Sequence, residues 1–148
     1  MLVFNLGFDK KSSIENIHWV YVPDKDINFY RFGFYDNILD SDKLSMYIEI
    51  GYESDAEVNI ENQLELTLRN LKEIGVINDH KLLAYSSIIM NPAYVHISNE
   101  GNSLKNNKKK DLKDHNIYTI GRYGDWKYCS IEDSMIDAMK LAKELNEK

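Results

Sequence analysis

The chain is short of several things that would settle its class at once. Cys129 is its only cysteine, which excludes an internal disulfide and a cysteine-based zinc site. No run of eighteen or so apolar residues is present, so no membrane-spanning helix is expected. The opening MLVFNLGFDKK lacks the basic start, long apolar stretch and small-residue cleavage site of a signal peptide, and the expected location is the cytoplasm. Positive charge is not in excess: the formal net charge is −6, which argues against nucleic acid as a partner, since phosphate backbones need clustered cations. Lys105, Lys108, Lys109, Lys110 and Lys113 do cluster, but Asp111 and Asp114 are mixed among them and no aromatic residue accompanies them. That composition reads as a solvated helix or loop face. Motifs are also missing. There is no GxGxxG after a strand, no P-loop, no HExxH and no GxSxG. His18, His80, His96 and His115 are scattered without metal-ligand spacing.

What is present is an ordinary globular composition, 43% hydrophobic and 28% charged, in a length of 148 residues that suits one domain. The first half carries short runs rich in β-branched and aromatic residues, separated by polar turn residues. These are Leu2–Phe8, Ile17–Val22, Asn28–Tyr35 and Ser45–Tyr52, and they predict an antiparallel meander. Ile60, Leu64, Leu68, Leu71 and Ile74 then fall at helical spacing, with Gly75 at the place of a C-terminal cap. Further strands are expected at Lys81–Met90, Tyr94–Ile97 and Ile117–Ile120, and a short helix at Ser103–Asp114. A last helix is expected from Ser130, with Ile131, Met135, Ala138, Ala142 and Leu145 as its buried stripe. Ser130 with Asp133 three residues on resembles a capping box with Asp in place of Glu. The expected fold is α+β: an antiparallel sheet of about six strands with two to three helices, in one domain without repeats or low-complexity linkers.

The segment IYTIGRYGDWKYCSIEDSM, residues 117–135, holds the best candidate chemistry. Gly121 and Gly124 allow a sharp turn and close approach of a ligand to the backbone. Arg122 brings a permanent charge on a planar fork suited to phosphate or carboxylate. Tyr123, Trp126 and Tyr128 bring flat faces with polar tips. The free N–H groups at the start of the last helix carry about half a unit of positive charge and can hold a phosphate or an electron-rich carbonyl. A surface turn whose aromatics pack on the sheet fits the same residues. Cys129, just before that helix, reads as a buried inert thiol. Arg31, in NFYRFGFY, is the second candidate. A central-strand arginine is costly to bury unless an anion meets it, and a pair with Glu49 or Asp36 would serve as well as a ligand.

HWVYVPDKDINFYRFGFYDN, followed far downstream by IYTIGRYGDWKYCSIEDSM, resembles the later part of bacterial FAD-dependent proteins related to UDP-galactopyranose mutase, in the flavin amine-oxidase and protoporphyrinogen-oxidase superfamily. The resemblance runs along nearly the whole chain and is most specific at GRYGDWKY. It implies that the chain is the C-terminal portion of a flavoenzyme. The substrate-domain sheet would occupy about residues 1–116, and a flavin-contacting strand-turn-helix residues 117–148. It implies FAD as the parent's cofactor, with none bound by this chain alone, and a dinucleotide-binding domain, absent here, as partner. Gly121 and Arg122 would lie near the FAD chain, and Ser130, Ile131 and Glu132 near the flavin carbonyl. Tyr128 matches a tyrosine facing the substrate diphosphate, Arg31 a phosphate-binding arginine, and Tyr94 a substrate-side tyrosine. Ser130-Ile131 stands where the mutases usually have Asp-Met, and Phe32-Gly33-Phe34 departs from the mutase pattern. The implied substrate is a sugar nucleotide or another small molecule, with a role in cell-surface polysaccharide synthesis or in oxidation of a C–N or C–C bond. The sheet face that lost its covering domain is expected to be apolar and to self-associate. A stand-alone, non-catalytic module binding a diphosphate-containing ligand is the alternative, and a scaffold without any small-molecule site is the plainest one.

Overall fold

The computed structural model describes residues 1–39, 41–53, 55–94 and 96–147. It divides into two compact units, Met1–Ala93 and Tyr94–Lys148. The division falls earlier than residue 116, where the sequence suggested the sheet portion would end.

The first unit is a five-stranded sheet with helical cover. Its strands are β1 (Leu2–Phe8), β2 (Trp19–Tyr21), β3 (Arg31–Phe34), β4 (Ser45–Ile50) and β5 (Leu82–Ile89), with the short α1 (Asp36–Leu39) and the longer α2 (Ile60–Glu73) between them. The order across the sheet is β2-β3-β4-β1-β5, and every neighbouring pair is antiparallel. Period-two alternation decides which side chains go inside. Leu2, Phe4, Leu6 and Phe8 of β1, Phe32 and Phe34 of β3, and Met46, Ile48 and Ile50 of β4 share one buried face. Leu71 of α2 is fully buried with them, and Leu64 and Leu68 pack alongside. Burial of aliphatic and aromatic side chains at about 1.5–3 kcal/mol each is the main force holding this unit.

The ends of α2 follow its sequence. Asn59 accepts from the Asn62 N–H at 3.0 Å as N-cap. At the other end Gly75, at φ +76°, takes the left-handed conformation. The Val76 N–H reaches the Leu71 carbonyl at 2.9 Å and the Gly75 N–H the Lys72 carbonyl at 3.1 Å. That pattern is a Schellman cap, and the buried Val76 beside Leu71 supplies its apolar contact. Asn28 ties the chain before β3 to this helix. Its backbone N–H donates to Asn70, and its side-chain amide donates to Gln63 and Thr67. The regular part of β3 accordingly starts at Arg31 rather than at residue 28.

The second unit contains α3 (Asn99–Asp114), α4 (Gly121–Gly124) and α5 (Ile131–Asn146). Helix α3 begins earlier than residue 103, because Ser98 caps it by accepting from the Gly101 N–H at 3.0 Å. Ile117–Ile120 is not a strand, and none of the described residues from 94 to 97 lies in one either; Val95 is outside the described residues. A strand needs a ladder partner, and among the described residues this unit has no strand to pair with. The stripe expected to be buried on α5 is in fact exposed. Ile131 is 78% exposed, Met135 62% and Leu145 42%, and Ala138 and Ala142 are exposed as well. The half-buried positions are Ser134, Asp137 and Leu141 instead. The periodicity marks an amphipathic helix correctly, but the polar side meets the rest of the unit.

The α+β class and antiparallel sheet are as the sequence predicts, with five strands against an expected six or so. Among the described residues there are five helices, of which α2, α3 and α5 are long.

Candidate functional site

In the second unit, Gly121 begins α4 at φ +76°, a conformation that only glycine adopts without strain. Its Cα side faces the first turn of α5: a Cβ there would touch the Ser134 hydroxyl oxygen at 3.5 Å. Gly124 lies against Thr119, where a Cβ would come within 3.1 Å of backbone. The two glycines thus let the turn fold tightly on itself and on α5. Charges then fasten it. Asp125 pairs with Lys109 of α3 and, at 3.5 Å, with Lys127, which reaches Asp137 of α5 at 2.6 Å. Burial works against the charged Asp125, yet the Lys109 and Lys127 contacts win and hold its carboxyl below the usual range. Lys127 is raised, first by its hydrogen bond to Asp137.

The fastened turn presents Arg122 to two tyrosines. The guanidinium carbon lies 5.4 Å from the Tyr94 ring centre and 5.0 Å from that of Tyr128. The two rings are stacked, with centres 6.0 Å apart and planes at 24°. Tyr128 is 70% exposed and Tyr94 36%, so the cluster is open to solvent chiefly on the Tyr128 side. Among the described residues, no carboxylate lies within ion-pair distance of Arg122. The guanidinium lies beside the stacked pair, close to both rings, and its N–H groups suit an anion.

The capping box at α5 is formed. The Ser130 hydroxyl accepts from the Asp133 N–H at 3.0 Å, and the Asp133 carboxylate accepts from the Ser130 N–H at 2.8 Å. Hydrogen bonds from the Ser130 backbone, then from its hydroxyl, lower the Asp133 carboxyl below its ordinary range. Ile131 and Glu132, in the first turn of α5, are exposed. The lysine-rich helix α3 lines a cavity of about 400 Å³ with Ile117, Ile120 and Leu141, and its Lys109 and Lys113 are already paired with Asp125 and Glu144.

Arg31 belongs to the first unit, on the sheet face opposite the core. The strand register sets two rows there: Trp19–Gly33–Tyr47–Asn5–Ser86 and Tyr21–Arg31–Glu49–Val3–Ile88. Arg31 pairs with Glu49, whose side chain is only 9% exposed, and donates to the Tyr21 hydroxyl at 3.1 Å. Tyr30 donates to the second oxygen of Glu49. Tyr47 lays its ring over Gly33, the space a side chain at residue 33 would fill. Burial raises the Tyr47 phenol above its usual pKa; Arg31 opposes this and Glu49 adds to it. Trp19 and Tyr21, 58% and 60% exposed, complete an aromatic sheet face, though the sequence did not single out these two residues. The signal was there in the alternation of IHWVYV, which sends Trp19 and Tyr21 to one side.

Of the residues proposed from sequence, the structure brings Tyr94, Arg122 and Tyr128 together. It also sets Gly121 against the turn that starts with Ser130, Ile131 and Glu132. Arg31 lies in the other unit and already has its carboxylate partner.

The fold resembles that of a UDP-galactopyranose mutase. A crystal structure of the reduced form of that enzyme matches with a TM-score of 0.63 and 19% sequence identity. The match covers 86% of this chain and 28% of the mutase chain. At that identity the likeness is one of fold. No protein-family model and no curated protein sequence matches the chain. No helix among the described residues is long and apolar enough to cross a membrane.

Proposed function

We propose that this chain is the C-terminal portion of a cytoplasmic FAD-dependent enzyme related to UDP-galactopyranose mutase, and that Arg122, which the resemblance implies lies near the FAD chain, instead joins Tyr94 and Tyr128 in recognising the diphosphate of its substrate. The observation that carries this is the Tyr94–Arg122–Tyr128 cluster, in which an arginine without a carboxylate partner among the described residues lies beside two stacked tyrosines. A sugar nucleotide has the required chemistry: a diphosphate for the guanidinium and hydroxyls for the tyrosine tips. Such a substrate is compatible with the role in cell-surface polysaccharide synthesis that the resemblance implies.

The residues present fit one end of a flavin. Gly121 brings bare backbone close to α5, and the exposed first turn offers the N–H groups of Ile131 and Glu132 to a carbonyl oxygen, the Ser130 N–H being taken by Asp133. They do not supply the glycine-rich cradle that holds the pyrophosphate of FAD. Bound FAD would supply the redox or covalent chemistry, and this chain would supply position and charge. The Asp133 carboxylate already occupies part of the helix start, so a neutral carbonyl suits the remaining N–H groups better than a phosphate does. Arg31 has a weaker place in this reading, since a phosphate there would have to compete with Glu49.

The cluster lies wholly within one compact unit, which favours a second reading in which the chain binds a diphosphate ligand without catalysis. NMR of the labelled chain during titration with UDP tests the shared core of both. Shifts at Gly121, Arg122, Tyr94 and Tyr128 are expected. Shifts confined to Lys105–Lys113 would reject both. Addition of FAD then separates them: shifts at Ile131 and Glu132 mark the flavoenzyme.

A further inference from the structure

We propose that β5 is a self-pairing edge, through which two copies of this chain join their sheets antiparallel about a two-fold axis at Ser86. The two edges of the sheet differ sharply. Strand β2 has three residues and is followed by Pro23, the short, interrupted form that blunts an edge. Strand β5 has eight residues, LLAYSSII, with no charge and no proline. Only its first residue, Leu82, is half-buried; all the rest are exposed. Leu83 is 59% exposed, Tyr85 49%, Ile88 55% and Ile89 57%. Its irregularity against β1 lies at the Leu82 end, and Ala84–Ile89 pairs in unbroken register. A long, regular, uncharged edge with one side unpaired is a template for another strand.

The occupant is set by the sequence of the edge itself. Antiparallel pairing about a two-fold places residues of like parity opposite one another, because facing side chains must share a face of the sheet. Centred on Ser86, that rule sets Ala84 against Ile88, Leu83 against Ile89, Leu82 against Met90 and Tyr85 against Ser87 of the other copy, and no charge faces a like charge. Centred on Tyr85 it would instead set Lys81 against Ile89 and Leu83 against Ser87. The Ser86 register matches three apolar couples and keeps Lys81 away from an apolar partner, and apolar cross-strand pairs stabilise a sheet. The partner that fits is therefore a second copy, and the product is a continuous sheet of ten strands.

Sedimentation velocity of the chain across a wide concentration range should show a monomer–dimer equilibrium. Ser86 is exposed, so Ser86→Lys and Ser86→Glu should each fold normally by circular dichroism and sediment as monomers, since like charges meet at the axis. Their equimolar mixture should recover the dimer. In a Cys129→Ser background, Ser86→Cys should form an intermolecular disulfide under oxidation, because facing Cα atoms about 4.5–5.5 Å apart lie within disulfide reach. A monomer at every concentration would overturn the proposal. So would a dimer that survives both charge variants, including one lost instead on Met135→Glu, which would assign self-association to the exposed face of α5.

Discussion

Arg31 and Arg122 are the same side chain in opposite electrostatic settings. Arg31 is locked to Glu49, and its removal strands a carboxylate that is only 9% exposed, with Tyr30 as its remaining donor. Arg31→Ala should therefore lower thermal stability. A fully buried pair broken in this way costs about 3–5 kcal/mol; Arg31 is itself a quarter exposed, so about 1–3 kcal/mol is expected after screening. Glu49→Gln should cost less, because an amide oxygen can still accept from Arg31 and Tyr30. A melting temperature unchanged in Arg31→Ala would show that the pair contributes nothing. The sequence left Arg31 between an ion pair and an anion site. Only the register Arg31↔Glu49 decided it, and register is a pairing between distant segments that no local pattern contains. Arg122, Tyr94 and Tyr128 were legible as types, but the stacking of Tyr94 on Tyr128 was not, since it depends on the path of the chain between them.

Elements with a self-contained signal were readable to within a few residues. β1 alternates strictly, and α2 carries its own Asn59 and Gly75 caps. The Ser130–Asp133 capping box formed as the spacing predicts. Elements that need a partner were not readable. Ile117–Ile120 has the composition of a strand and no ladder, and the apolar stripe of α5 has no covering layer among the described residues. The carboxylates that hold this second unit set its response to acid. Asp125 and Asp133 both titrate below their ordinary range. A depressed carboxylate contributes stability that is present above its unfolded pKa and lost as pH falls through its folded one. The helical signal of the chain should therefore melt at progressively lower temperature below about pH 4, and Asp125→Asn should remove part of that slope. A pH-independent melt from neutrality to about pH 3, below the ordinary carboxylate range, would contradict the ion-pair network.

For the whole molecule, the chain spans 28% of the similar mutase, and an aromatic sheet face in the first unit and the apolar stripe of α5 in the second are both exposed. Without a glycine-rich fingerprint, the purified chain should be colourless. Flavin absorbance at near-stoichiometric occupancy would show that residues 117–148 hold FAD unaided and that no cradle is needed. The fold class was legible because strand and helix periods are local. The division after Ala93 was not, since no glycine, proline or serine run marks it.

Arg122 is the residue on which diphosphate recognition turns. Calorimetric titration of the chain with UDP, in parallel with Arg122→Ala and Arg122→Lys, tests it directly. The wild-type chain should bind UDP saturably. Loss of one charge-assisted contact worth about 1.5–3 kcal/mol should weaken the alanine variant roughly tenfold to a hundredfold. The lysine variant should fall between the two, because it keeps the charge and loses the fork. Equal affinity in the wild-type chain and a folded Arg122→Ala variant, or no binding by the wild-type chain, would contradict the assignment.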